Sequence, residues 1–258
     1  MNMRTFLFFF VTQIVAANAQ DYAREKRWAD EIVPGLVIGD AVELKAASGR
    51  TFLGLHAKGD AAKPALVIVH GIGVHPDHGV IGLMRVKLND LGYTTLSIQM
   101  PVLGKDKGAD DYYPALFPDA ASRIASAAEW LNVKGYKRVV LISHSMGSWM
   151  SNVYLDQTPA TPYAAWVCTG LTGGFRSRML GIDWPMLNVK IPILDVYGEN
   201  DLKPNLNAAA RRASAIAGNA KSRQVLVDGA DHFYDKREAK LVEEIDRWLG
   251  QLGHLKPE

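Results

Sequence analysis

The chain has 258 residues, 48% of them hydrophobic and 22% charged, with a formal net charge of +2. This is ordinary globular composition, long enough for one sizeable α/β domain. The near balance of charge excludes a strong electrostatic case for nucleic acid or for an anionic membrane surface. A single cysteine, Cys168, excludes an intrachain disulfide, so the core must supply the stability. Set among apolar residues at 164–167, Cys168 reads as a buried small hydrophobe rather than a reactive thiol.

The first 19 residues read as a secretory signal peptide. Arg4 supplies a short positive region, 6–17 an apolar one, and Ala17-Asn18-Ala19 the small residues that a signal peptidase needs. Cleavage is expected after Ala19, leaving a nearly neutral periplasmic or secreted protein with no stable membrane anchor. No later stretch is long and apolar enough to span a bilayer. Residues 20–39 form an N-terminal arm, in which the charged stretch 21–31 is a helix or a loose segment. One domain over 40–252 and a tail at 253–258 complete the division.

Alternation at 41–46 and 51–57 around Ser48-Gly49 predicts an antiparallel hairpin. The apolar runs 65–69 and 93–99 predict strands buried on both faces, the second ended by Pro101. A helix is expected over 119–131, a strand over 138–143, and a helix over 146–155. Strands at 164–169, 193–197 and 223–227 and helices at 207–217 and 236–252 complete the set. Helices between apolar strands imply right-handed crossovers, so the fold class is α/β with a mostly parallel sheet flanked by helices.

The most informative stretch is Leu141-Ile142-Ser143-His144-Ser145-Met146-Gly147-Ser148. It sets Ser145 at a sharp strand-to-helix turn, with small residues two before and two after it, the shape of a nucleophile elbow. The helix N-terminus beneath it offers free N–H groups to a developing oxyanion. Asp201 follows a strand in Gly198-Glu199-Asn200-Asp201, and His232 follows the last strand in Asp228-Gly229-Ala230-Asp231-His232-Phe233. A serine hydroxyl needs a base to ionise, and the base needs an acid to orient it. Asp195 lies inside its strand and looks structural.

With Val69-His70-Gly71 upstream, this nucleophile–acid–base order resembles the serine-nucleophile type of the α/β-hydrolase superfamily. The resemblance covers roughly 40–252. Asp201 is similar to that family's G-x-x-D acid, for which Glu199 stands too early in the turn, and His232 to its G-A-x-H base. The resemblance implies a Ser145–His232–Asp201 triad and an oxyanion hole from the backbone N–H groups of Met146 and Ile72. It makes His70 a loop organiser and His144 a packing neighbour of the elbow. One residue departs from the pattern: Ser143 stands where the elbow usually has glycine, and its Cβ is expected to crowd the turn slightly. The run 70–82, with 97–103, is also similar to a bacterial hydrolase-like family of unknown function.

The loop His75-Pro76-Asp77-His78-Gly79 has zinc-like ligand types, but a polar loop beside the site mouth is the better reading, so no metal and no cofactor is assigned. Only 172–190 separates two strands where many lipases carry a helical cap, so no large cap domain is expected and an open cleft fits better than a long-chain lipid site. Tyr112, Tyr113, Phe117, Phe175, Trp184 and Met186 are candidate pocket walls or simple loop packing, and Arg176 and Arg178 a solvated face. The expected function is an exported serine hydrolase acting on an ester or similar acyl bond of a small molecule through an acyl-enzyme. An acyltransferase or peptidase on the same triad, or a non-catalytic binding protein on this scaffold, stays open. A serine at the elbow argues against dehalogenase chemistry, for which the superfamily uses aspartate.

Overall fold

The computed structural model describes residues 20–112, 115–173, 180–181 and 183–253. The expected signal peptide, Tyr113, Phe175, Arg176 and Arg178 lie outside them. The arm is helical: α1 (Tyr22–Ile32) is capped by Asp21, whose carboxylate accepts the Arg24 N–H at 2.8 Å. The expected hairpin follows, β1 (Asp40–Lys45) against β2 (Thr51–Ala57), antiparallel with Val42 opposite Gly54.

Beyond the hairpin come β3 (Ala65–Val69), α2 (Gly79–Asp90), β4 (Thr94–Ile98), α3 (Ala109–Tyr112), α4 (Phe117–Val133), β5 (Val139–His144), α5 (Met146–Gln157), β6 (Tyr163–Thr169), β7 (Ile193–Asn200), α6 (Lys203–Ile216), β8 (Arg223–Asp231) and α7 (Glu238–Gln251). The sheet order is β1-β2-β4-β3-β5-β6-β7-β8. β1, β2 and β4 meet antiparallel and every other pairing is parallel. This is the mostly parallel, helix-flanked sheet expected from the sequence. Between β6 and β7 the described residues form no α-helix, in line with the expected lack of a large cap.

β3 shows why a continuous apolar run is needed. Ala65, Val67 and Val69 enter the core under α4 and α5, while Leu66 and Ile68 enter the core under α2 and α7. Cβ atoms alternate across a strand, so a strand covered on both faces carries no polar side. Cys168 lies in the first of these cores, and burial pushes its thiol well above the usual range. It is the inert hydrophobe expected.

α2 and the short α3 are the helices that sequence periodicity does not predict, and α2 is the longer. Gly82 serves close approach, since a Cβ there would fall 2.5 Å from the Asp77 carbonyl oxygen, whereas Gly79 opens the helix with a φ of 51°. Val80, Ile81, Met84 and Leu88 are buried, and so is Arg85, held by the Asp77 carboxylate at 2.8 Å. No helix among the described residues is long and apolar enough to cross a membrane.

Candidate active site

Strand register brings the site together. Val69 lies beside Ser143, and His144 beside Thr169, so the residues that follow β3, β5 and β6 emerge side by side. Asn200 lies opposite Asp231 across a bulge, so Asp201 and His232 leave their strands as neighbours. β8 runs four residues past its expected end, up to the residue before His232.

Ser145 separates β5 from α5 with φ 56° and ψ −121°, a left-handed backbone in a residue that is not glycine. Such strain persists only where the surroundings enforce it. The Ser145 N–H donates to the Thr169 carbonyl at 2.9 Å, as does the Ser148 hydroxyl at 3.0 Å. A Cβ on Gly147 would meet the His70 carbonyl oxygen at 2.4 Å, and one on Gly71 would come within 3.3 Å of the Ser145 Cβ. Glycine is therefore required at 147, and the chain at Gly71 passes tightly against the nucleophile. Two before the nucleophile, serine takes the place usual for glycine: Ser143 is fully buried, and its hydroxyl accepts the indole N–H of Trp166 at 2.7 Å. The expected crowding becomes a hydrogen bond.

The structure joins the three predicted side chains. His232 Nε2 is 2.9 Å from Ser145 Oγ, and His232 Nδ1 is 2.7 Å from Asp201 Oδ1. A carboxylate can only accept, which puts the imidazole proton on Nδ1 and leaves Nε2 to accept from the serine hydroxyl. Asp201 Oδ1 also takes the Leu202 N–H and the Asn205 side-chain N–H, both at 2.7 Å. Burial pushes this carboxyl upward, but the hydrogen bonds from His232 and Asn205 outweigh it and hold Asp201 below the usual carboxylate range. A Cβ on Gly170 would fall 2.9 Å from His232 Cε1, so that glycine makes room for the imidazole. Phe233, 60% exposed, sets its ring edge-on at 5.2 Å from His232.

The other histidines do not compete for the role of base. Burial pushes His70 and His144 down to about 3, so both are neutral at physiological pH. Thr169 Oγ1 donates to the Ser143 carbonyl and accepts from His144 Nδ1, while the His144 ring packs 5.0 Å from that of His232. Asp195 is wholly enclosed and paired with Arg212 at 2.9 Å, the structural role expected of it. Glu199 is exposed and accepts the Gly229 N–H at 2.8 Å, away from the imidazole's own partner.

Met146 opens α5, so its N–H has no intrahelical acceptor. Ile72 follows Gly71 in the loop pressed against Ser145. Of the suggested pocket residues, Tyr112 lies in the core and its hydroxyl accepts the Leu103 N–H at 3.1 Å, which assigns it to packing the loop above. Trp184 is half-buried with Arg211 stacked 3.7 Å over its ring. Asp77, the acidic member of the histidine loop, is occupied by Arg85 through two N–H groups. Asn205 was not singled out from sequence. Its signal is its place four residues after Asp201, in the first turn of α6, where a side chain points back over the preceding loop.

No protein-family model matches this sequence, and no curated protein matches it. Solved structures do. The chain is similar to an α/β serine hydrolase without a lid from Xanthomonas campestris, at 14% identity over 84% of this chain and 96% of that one (TM-score 0.62). It is similar to dienelactone hydrolase from Anabaena variabilis, at 20% identity over 82% and 96% (TM-score 0.63). It is similar as well to the esterase RhEst1 from a Rhodococcus species, at 15% identity over 83% and 99% (TM-score 0.60). Likeness at these identities is likeness of fold.

Proposed function

We propose that this chain, an α/β-hydrolase by fold, is a serine hydrolase that cleaves ester or similar acyl bonds of small molecules through an acyl-enzyme. The observation that carries the reading is the continuous relay from Ser145 Oγ through the His232 ring to Asp201, at 2.9 and 2.7 Å. Fold likeness to serine hydrolases and esterases points the same way but does not fix an activity.

In this mechanism Ser145 Oγ attacks the acyl carbon while His232 Nε2 takes its proton. The N–H groups of Met146 and Ile72 receive the oxyanion, and Asp201 stabilises the imidazolium. His232 returns the proton to the departing alcohol oxygen as the acyl carbon–oxygen bond breaks. Water, deprotonated by the same nitrogen, then releases the acid. Neither metal nor cofactor enters these steps. The short segment between β6 and β7 favours small or medium acyl groups over long chains. Acyl transfer or amide cleavage on the same triad remains the second enzymatic reading, told apart by adding competing acceptors or amide substrates. The first 19 residues support export.

A panel of p-nitrophenyl esters of graded acyl length tests the proposal. Turnover by the purified chain and none by Ser145→Ala is the expected pair of results. Undiminished hydrolysis by Ser145→Ala rejects the assignment, and no hydrolysis by folded wild type favours a binding protein.

A further inference from the structure

The oxyanion loop is held from a distance. His70 Nε2 accepts the Met100 N–H at 2.8 Å, which puts the ring proton on Nδ1, where it meets the Gly71 carbonyl at 2.8 Å. The Gly71 carbonyl and the Ile72 N–H belong to one rigid peptide plane and point in opposite directions. Fixing the carbonyl therefore aims the N–H. On the other side of Ile72, the Gly73 carbonyl accepts from Arg24 Nη2 at 3.0 Å. The same guanidinium donates through Nη1 to the Leu103 carbonyl at 2.8 Å. One planar fork thus ties the loop after β3 to the loop after β4.

Arg24 belongs to α1, and the rest of that helix is built to keep it there. Glu25 is buried against Arg123 at 2.9 Å, and Arg123 also donates to the Gln99 carbonyl. The Arg24 guanidinium lies 4.5 Å over the Trp28 ring, which in turn packs 5.7 Å from His75 in the same loop. The Asp21 N–H reaches the Val102 carbonyl at 2.7 Å. Directly through Asp21, Arg24 and Trp28, and by way of the Glu25–Arg123 pair, this end of the chain is tied to 70–75 and 99–103.

We propose that α1 is a working part of the site, and that Arg24 is a positioning residue that holds the 71–73 loop so that the Ile72 N–H faces the developing oxyanion. This rests on the hydrolase reading above. A loop that drifts by an ångström loses contacts made most strongly in the transition state, so the loss belongs in kcat and not in substrate binding.

The test uses the purified full chain and p-nitrophenyl butyrate. Arg24→Ala should lower kcat by about 10- to 100-fold with KM changed less than about threefold. Guanidinium ion in the buffer should restore part of it, which a merely loosened fold would not show. Arg24→Lys keeps the stem and the charge but cannot fork across two carbonyls, so it should share most of the defect; it also serves if the alanine variant fails to fold. Lys26→Ala, on the exposed side of the same helix, should stay within about twofold of wild type. Wild-type kcat in both Arg24 variants overturns the proposal, as does a loss confined to KM or one that guanidinium leaves untouched. A wild type that neither hydrolyses nor reacts with a fluorophosphonate overturns the hydrolase reading and this inference with it. An active wild type with undiminished variants overturns this inference alone.

Discussion

The two halves of the candidate site each lean on a buried arginine, and the two arginines are wired differently. On the acid–base side, Arg212 is fully enclosed. Its Nε reaches both Asp195 oxygens, at 3.1 and 2.9 Å, and its Nη1 takes the carbonyls of Leu171 and Asn205. Leu171 follows the glycine that makes room for His232, and Asn205 holds Asp201. All of this lies between β6 and α6: the bonds to Asp195 and Asn205 span 17 and 7 positions, and the one to Leu171 spans 41. On the oxyanion side, Arg123 pairs with Glu25, 98 positions away, and Arg24 reaches Gly73 across 49 positions. One half is braced by its own neighbourhood and the other by the far N-terminal helix. Side chains that move protons can be fixed locally, whereas a backbone N–H is aimed only by fixing the chain on either side of it.

The largest effect that could break this picture is on the acid–base side. Ser145→Ala should reduce ester turnover by at least about 10⁴-fold while leaving the far-ultraviolet circular dichroism unchanged. Asp201→Asn should lose a comparable factor of about 10⁴, because an amide N–H turned toward the imidazole favours the wrong tautomer. Residual activity within tenfold of wild type in either variant would detach the relay from the chemistry.

That half was legible in the sequence because its parts are side chains in short local patterns. Ser145, Asp201 and His232 each stand in a turn whose neighbours announce it, and the structure joins all three. Parallel strands such as β3 were legible too, since burial on both faces demands an unbroken apolar run. What was not legible depends on distance in space. Gly82 in the middle of α2 leaves room for the Asp77 backbone that crosses it. The undecided arm becomes a helix because Asp21 caps it and because Glu25 finds Arg123. No local pattern carries a pairing 98 residues apart.

The bracing itself can be broken by Arg212→Met, which strands the buried Asp195 carboxylate. Unfolding in urea should show a loss of about 3–5 kcal/mol. Replacing Asp195 by Leu in the same chain should recover part of it, since no uncompensated charge then remains. Equal stability for wild type and Arg212→Met would show that the pair carries no weight.

Acid comes next. His70 and His144 are buried neutral, at about 3 against an ordinary 6.5. Below pH 6.5 the unfolded chain binds protons that the folded chain refuses, so stability falls as pH falls from about 6.5 toward 3. The slope is at most about 1.4 kcal/mol per pH unit for each histidine. Asp201, held below its ordinary 3.8, adds a loss in the same direction only below about pH 4. A urea midpoint that stays flat from pH 7 to pH 4 would contradict the neutral burial of both rings.

The smallest effect sharpens the contrast at the elbow. Ser143→Gly restores the residue usual in this turn, yet it leaves the buried Trp166 N–H without its acceptor. We expect a loss of about 1–3 kcal/mol in stability, with kcat unchanged, measured on the same preparation. A gain in stability would mean that the serine does crowd the turn.

The central claim, an activated serine in this relay, is tested most directly by covalent labelling. The purified chain is treated with a fluorophosphonate, and the adduct is located by mass spectrometry, with Ser145→Ala alongside. The account predicts one adduct, on Ser145, lost in the variant and slowed in Arg24→Ala. A folded chain that takes no label, or takes it elsewhere with Ser145 free, would contradict it.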